Sequence, residues 1–187
     1  RFYGYRLLRR GMKDVGYRRG FILDMNYRNT PWGGLNEIYS VELNVFAPGI
    51  LRHHSMEGYI GRQWRSVNDL HFSNLIASPR GFGGYNEAYF WTFQFDYRFP
   101  IAYPDVNIGP FVYIQRIKAG LLYNFASVDG DPAEAKYYES KSIELSVDGH
   151  FLRFIAPMEI GIRYGFLSGI QQSSTFVQFI FNTDFSF

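Results

Sequence analysis

The stretch Tyr89-Phe90-Trp91-Thr92-Phe93-Gln94-Phe95-Asp96-Tyr97-Arg98-Phe99-Pro100 decides how the chain reads. Its odd positions are all aromatic, and Thr92, Gln94, Asp96 and Arg98 alternate with them. Successive side chains of a strand point to opposite faces, so a period of two describes a strand with one aromatic and one polar face. Just upstream, Arg80 sits between Pro79 and the glycine-rich turn Gly81-Phe82-Gly83-Gly84.

Working outward, the alternation recurs over 17–28, 38–47, 56–65, 111–128, 142–154, 158–167 and 175–187. In one of these, Tyr39, Val41, Leu43 and Val45 oppose Ser40, Glu42 and Asn44; in another, Ile143, Leu145 and Val147 oppose Glu144, Ser146, Asp148 and His150. Breakers at Pro31, Gly33, Pro48, Gly49, Pro104, Gly109, Pro110 and Pro157 separate the segments, and the polar run 129–141 reads as a loop. The pattern predicts about eight strands of roughly ten residues, the length a tilted strand needs to cross a bilayer. Residues 1–16 read as a linker or partial strand with a solvated basic edge at Arg6, Arg9, Arg10 and Lys13, and residues 17–187 as one barrel domain.

Composition narrows the function classes. The 187 residues carry 19 basic and 17 acidic side chains, a net charge of +2, too balanced to call for nucleic acid as a partner. Aromatic residues make up 20% of the chain. Charged residues, at 19%, fall below the ~25% typical of soluble domains. With no cysteine there is neither a disulfide framework nor a thiolate metal site. No run of about 18 apolar residues predicts a spanning helix, but alternating strands escape that test, and a mean hydropathy of -0.19 is compatible with a barrel. A chain that begins at Arg1 without methionine reads as a processed or partial product.

The expected fold is therefore all-β, a transmembrane antiparallel up-and-down β-barrel. Counted back from a periplasmic C-terminus, the connections at 48–55, 101–110 and 155–157 fall on the periplasmic side. Those at 29–37, 66–88, 129–141 and 168–174 fall outside, and on the whole they are longer and more polar. A soluble β-sandwich also alternates, but it buries its aromatic faces against each other. Here Tyr27, Trp64, Tyr97 and Tyr164 cap the apolar faces like interfacial girdles, and charged, amide and glycine residues fill the opposite faces.

Residues Arg80-Gly81-Phe82 on a long external connection, followed by a strand ending Asp96-Tyr97-Arg98-Phe99-Pro100, resemble the second half of the barrel in the BamA-type superfamily. That group (the bacterial surface antigen family) contains outer-membrane protein insertases, TamA-like assembly factors and two-partner secretion transporters. Its barrels have sixteen strands, three of the second half preceding the arginine loop and five following it, and the same division is read here. The terminal Phe185-Ser186-Phe187 resembles the family's aromatic insertion signal. Pro79, Asp96, Asn124 and Asn182 depart from the residues usual at their positions. The wording at Arg52-His53-His54-Ser55 and Tyr103-Pro104-Asp105 is most similar to barrels of Bacteroidota. The resemblance implies a non-enzymatic barrel in the bacterial outer membrane, with a periplasmic C-terminus and no cofactor, acting in protein insertion or translocation. Its partners would be outer-membrane lipid, lipopolysaccharide and other outer-membrane or periplasmic proteins.

A guanidinium folded into a barrel interior must find carboxylates or carbonyls, because an unpaired buried charge costs several kcal/mol. Asp96 is the first candidate partner of Arg80, Glu144 and Asp148 come next, and Asn124 is a neutral acceptor. Other chemistry is poorly placed. Ser146 and His150 lie ~13 Å apart along one strand, too far for nucleophile and base. Adjacent His53 and His54 point to opposite faces and do not make a metal site. Asp129, Asp131 and Glu134 fit no calcium loop pattern. Three alternatives remain, the first two a small eight-stranded anchor or adhesin and a barrel subunit of a larger complex. A barrel hydrolase at Ser146 is the third and least economical reading.

Overall fold

The computed structural model describes residues 1–8, 11, 13–30, 36–66, 73–82, 89–109, 111–129, 136–151, 158–169 and 174–183. Among these, ten strands form in the order β1 (Phe2–Leu7), β2 (Gly20–Asn29), β3 (Glu37–Pro48), β4 (Ser55–Arg65), β5 (Tyr89–Ala102), β6 (Val106–Ile108), β7 (Val112–Asp129), β8 (Lys136–Phe151), β9 (Met158–Gly169) and β10 (Ser174–Thr183). All belong to one antiparallel sheet. Each strand pairs with the next in sequence, except that β5 pairs directly with β7 and the short β6 pairs with β7 beyond the end of β5. The outer strands β1 and β10 are not paired with each other among the described residues, so the sheet is up-and-down but not closed.

Burial follows the alternation in inverted form. Along β5 the aromatic side chains of Tyr89, Trp91 and Phe95 are exposed, and Thr92, Gln94 and Asp96 are buried. Along β8 Ile143 and Leu145 are exposed, and Ser142, Glu144, Ser146 and Asp148 are buried. Phe166, Val177, Phe179 and Phe181 carry the apolar exterior across β9 and β10. Soluble proteins bury large apolar groups and leave charges outside, so this sheet is organised inside out. A sandwich would have covered the aromatic face with a second sheet, and none forms among the described residues. Cross-strand rings line the exterior instead: Tyr27 stacks on Tyr39 at 4.7 Å between centroids, and Trp91 meets Phe125 at 5.2 Å.

The sheet curls around its polar face. Phe46 of β3 and Ile180 and Asn182 of β10 line the same cavity of about 320 Å³. Four expectations change. The strands number ten rather than about eight, four rather than three of them preceding Arg80 and six rather than five following it, because Phe2–Leu7 pairs with β2 and Val106–Ile108 with β7. Residues 136–141 are strand rather than loop, because Ser140 faces Asn124 in register and accepts a bond from its amide at 3.0 Å. The connection expected at 101–110 contains β6 and the last residues of β5. The strand expected from Tyr17 begins at Gly20, since residues 13–19 leave the sheet and fold against its interior.

Candidate functional site

The polar interior contains a strap, residues 73–82, that descends along β4 and β5. It is held by side chains whose inward direction the strand period dictates. Gln63 donates to Asn74 Oδ1 at 3.0 Å and accepts from Leu75 N at 2.7 Å, and the buried Arg65 also reaches Asn74. The Tyr59 hydroxyl accepts from Ala77 N at 3.0 Å and donates to Glu42 at 2.8 Å. Ile76 completes a small apolar cluster with Phe90, Ala126 and Val128, and the Phe82 ring packs edge-on to Tyr138 at 5.2 Å. Pro79 is fully buried.

At the tip of the strap, Arg80 forms a two-pronged pair with Asp96: Nη1 donates to Oδ1 and Nη2 to Oδ2, each at 2.7 Å. Its Nη1 also donates to Asn124 Oδ1 at 3.0 Å. The paired fork is the geometry that distinguishes arginine from lysine. Gly81 has φ +88, and a Cβ there would lie 2.7 Å from Leu167 and 2.8 Å from the Phe176 ring. Only glycine allows the reversal and the close approach to β9 and β10 together. Phe82 N closes the turn onto Pro79 O at 3.2 Å.

Asp96 is shared, for Arg98 Nη2 donates to its Oδ2 at 2.7 Å. From there an ionic ladder crosses the interior. Arg98 contacts Glu57 at 3.3 Å and Glu144 at 3.8 Å. Glu144 is bound by Arg163 at 2.6 Å, and Arg163 donates on to Gln178 at 2.8 Å. Lys118 bridges Asp148 at 2.8 Å and Glu159 at 2.9 Å, and Arg116 pairs with Asp148. Five cations (Arg80, Arg98, Arg116, Lys118, Arg163) thus meet five anions (Glu57, Asp96, Glu144, Asp148, Glu159). Such a balance braces a wall without leaving any of these ten charges uncompensated.

The structure brings Arg80, Asp96 and Asn124 together, with Gly81 and Phe82 beside them. Glu144 and Asp148 lie on the same face, but their bonds go to Arg163 and Arg98 and to Arg116 and Lys118, respectively. Asn124 accepts from Arg80 and donates to Ser140, so both ends of its amide are used without adding a third charge. Ser146 donates to Glu159 at 2.8 Å, a carboxylate already held by Lys118, and the His150 ring lies against Tyr113 at 5.9 Å. His53 pairs with Asp14 at 2.8 Å, whereas His54 bonds the Tyr97 hydroxyl at 2.7 Å and stacks on Phe99. Phe185, Phe187, Asp131 and Glu134 lie outside the described residues.

A second group of contacts, at residues 11 and 13–18, was invisible to the strand period. Asp14 and Val15 are buried, and Arg116 donates to the Asp14 carbonyl at 2.8 Å. Burial alone would raise the pKa of the Asp14 carboxyl. Hydrogen bonds from His53 and Gly11 N and the charge of Arg18 outweigh it and hold the group below its ordinary value of 3.8.

Compared with known proteins, the chain matches no family model, no curated protein and no solved structure.

Proposed function

We propose that the chain is part of an outer-membrane β-barrel of the BamA type, non-enzymatic, that acts in insertion or translocation of proteins at the bacterial outer membrane. The observation that carries this reading is the inverted sheet strapped from within: an aromatic exterior, an ion-paired interior, and an arginine loop anchored to Asp96. An exterior of Phe, Val, Ile and Leu is stable against lipid tails and costly against water. An interior ladder suits a wet lumen whose shape must be kept. In this reading the edge of β10 pairs with a strand supplied from elsewhere, since a lipid-exposed open edge cannot persist in hydrocarbon.

The test is made on the protein in its own membrane. The chain should sediment with the outer membrane, resist alkaline carbonate extraction and migrate faster on gels when unheated. Depleting it should leave other barrel proteins unfolded in the periplasm. Recovery in the soluble fraction would refute the barrel, and normal client assembly after depletion would refute the insertion role while leaving the barrel intact.

A further inference from the structure

The cavity of about 320 Å³ has two unlike walls. One carries Arg98, Lys118 and Arg163 with Glu57, Glu144 and Glu159, and the other is made by Val15, Gly16 and Tyr17. Segment 13–19 therefore forms the floor of a charged chamber. Its neck is fastened by Leu8 N bonding to Arg19 O at 2.9 Å, just before Gly20, where a φ of +156 and the clash that a Cβ would make with Arg6 O exclude a side chain. Short loops with joined ends are frequently functional.

What holds this floor is largely polar. Val15 N bonds His53 O at 3.3 Å, the Tyr103 hydroxyl donates to Lys13 O at 2.7 Å, and Arg116 donates to Asp14 O. The Asp14 carboxylate gathers His53 at 2.8 Å, Arg18 at 3.1 Å and Gly11 N at 2.9 Å. The apolar share is small, with Val15 buried and Tyr17 edge-on to Phe46 at 5.2 Å. Water can replace polar contacts of this kind at modest net cost, whereas a buried apolar plug has no such exchange. Arg116 joins the floor to the ladder, since the guanidinium that grips Asp14 O also pairs with Asp148.

We propose that segment 13–19 is a displaceable floor that gates the entry of small hydrophilic solutes to the charged chamber. The inference rests on the barrel reading, in which the chamber belongs to the lumen. Asp14 is the catch. Its carboxylate ties three groups, while the backbone on either side is held by Tyr103, Arg116 and His53.

The chain has no cysteine, so Ile180→Cys places a single thiol in the chamber wall at a residue only 7% exposed. The rate of its modification by the anionic reagent sulfonatoethyl methanethiosulfonate is measured on the folded protein in vesicles. Modification is expected to be slow with the floor intact and about tenfold faster when Asp14→Ala is added, the shift that follows from losing bonds of ordinary strength. Arg18→Ala removes one contact of a 62% exposed side chain and should give a smaller acceleration; it decides the matter if Asp14→Ala does not fold. Equal rates across the folded variants, or fast modification with the floor intact, would overturn the gate. Failure of every variant, and of the parent, to insert and show heat-modifiable migration would instead overturn the barrel reading.

Discussion

Replacing Asp96 with alanine removes the carboxylate that Arg80 and Arg98 share. The side chain is 4% exposed and accepts three charge-assisted bonds, all at 2.7 Å, two from Arg80 and one from Arg98. Deleting one partner of a buried ion pair costs ~3–5 kcal/mol, and here the loss also leaves two cations facing each other. Arg80→Ala is expected to be milder, ~2–3 kcal/mol, because Asp96 keeps Arg98. The double variant should fall well short of the sum, by ~2 kcal/mol or more, since once Arg80 is gone the second deletion strands only one cation. Urea unfolding in lipid vesicles, followed by Trp64 and Trp91 fluorescence, gives the four free energies of the cycle. Additivity within ~0.5 kcal/mol would refute the coupling and with it the role of Arg80 as a brace.

Three further outcomes follow from the same geometry. Gly81→Ala, at φ +88 and 2.7 Å from Leu167, is expected to destabilise by ~1–3 kcal/mol and to loosen protease protection of the strap; a neutral result would mean the strap does not touch β9 in solution. Because the Asp14 pKa is depressed on folding, its contribution is present above its ordinary value of 3.8 and is lost as pH falls through the lower folded value. Unfolding free energy measured against pH should therefore drop in that acid window, and Asp14→Asn should flatten the drop. Leu145→Arg puts a charge on the exposed outer face and is expected to cost ~2–4 kcal/mol if that face meets the bilayer interior, whereas a change within ~0.5 kcal/mol would mark the face as wet.

Within the strands the direction of a side chain was legible in the sequence, because a period of two assigns faces without reference to partners. Trp91 and Phe95 point out, and Thr92, Gln94 and Asp96 point in, as the alternation requires. Arg80 and Asp96 could be paired on paper, since a buried cation needs an anion and Asp96 stood first on the neighbouring polar face. The rest of the ladder could not. Period assigns the face but not the level along the strand, and the level depends on connection lengths and on bulges such as those at Pro100/Ala102 and Ile114/Arg116. Hence Arg163 with Glu144, and Lys118 with Glu159, emerged only with the register. Residues 136–141 looked like loop by polarity, yet an inverted sheet spends polar residues on its inner face. Segment 13–19 has no period at all, and its anchors are backbone carbonyls that sequence does not advertise.

Sequence separation turns these anchors into an order of events. Arg80 meets Asn124 across 44 residues, and Arg116 meets Asp14 across 102. Closing a chain of that length costs entropy that only existing structure can offset, so neither bond forms before β7 is laid against its neighbours. During emergence from an N-terminal start the early segment therefore waits, its Asp14 carbonyl without the guanidinium it will finally bind. When β7 arrives, Arg116 and Asn124 enter on the same inward face, one bonding the floor and the other the strap. The seventh strand thus acts as a timing signal: a chain stalled before it lacks the last bond of its strap and the last bond of its floor.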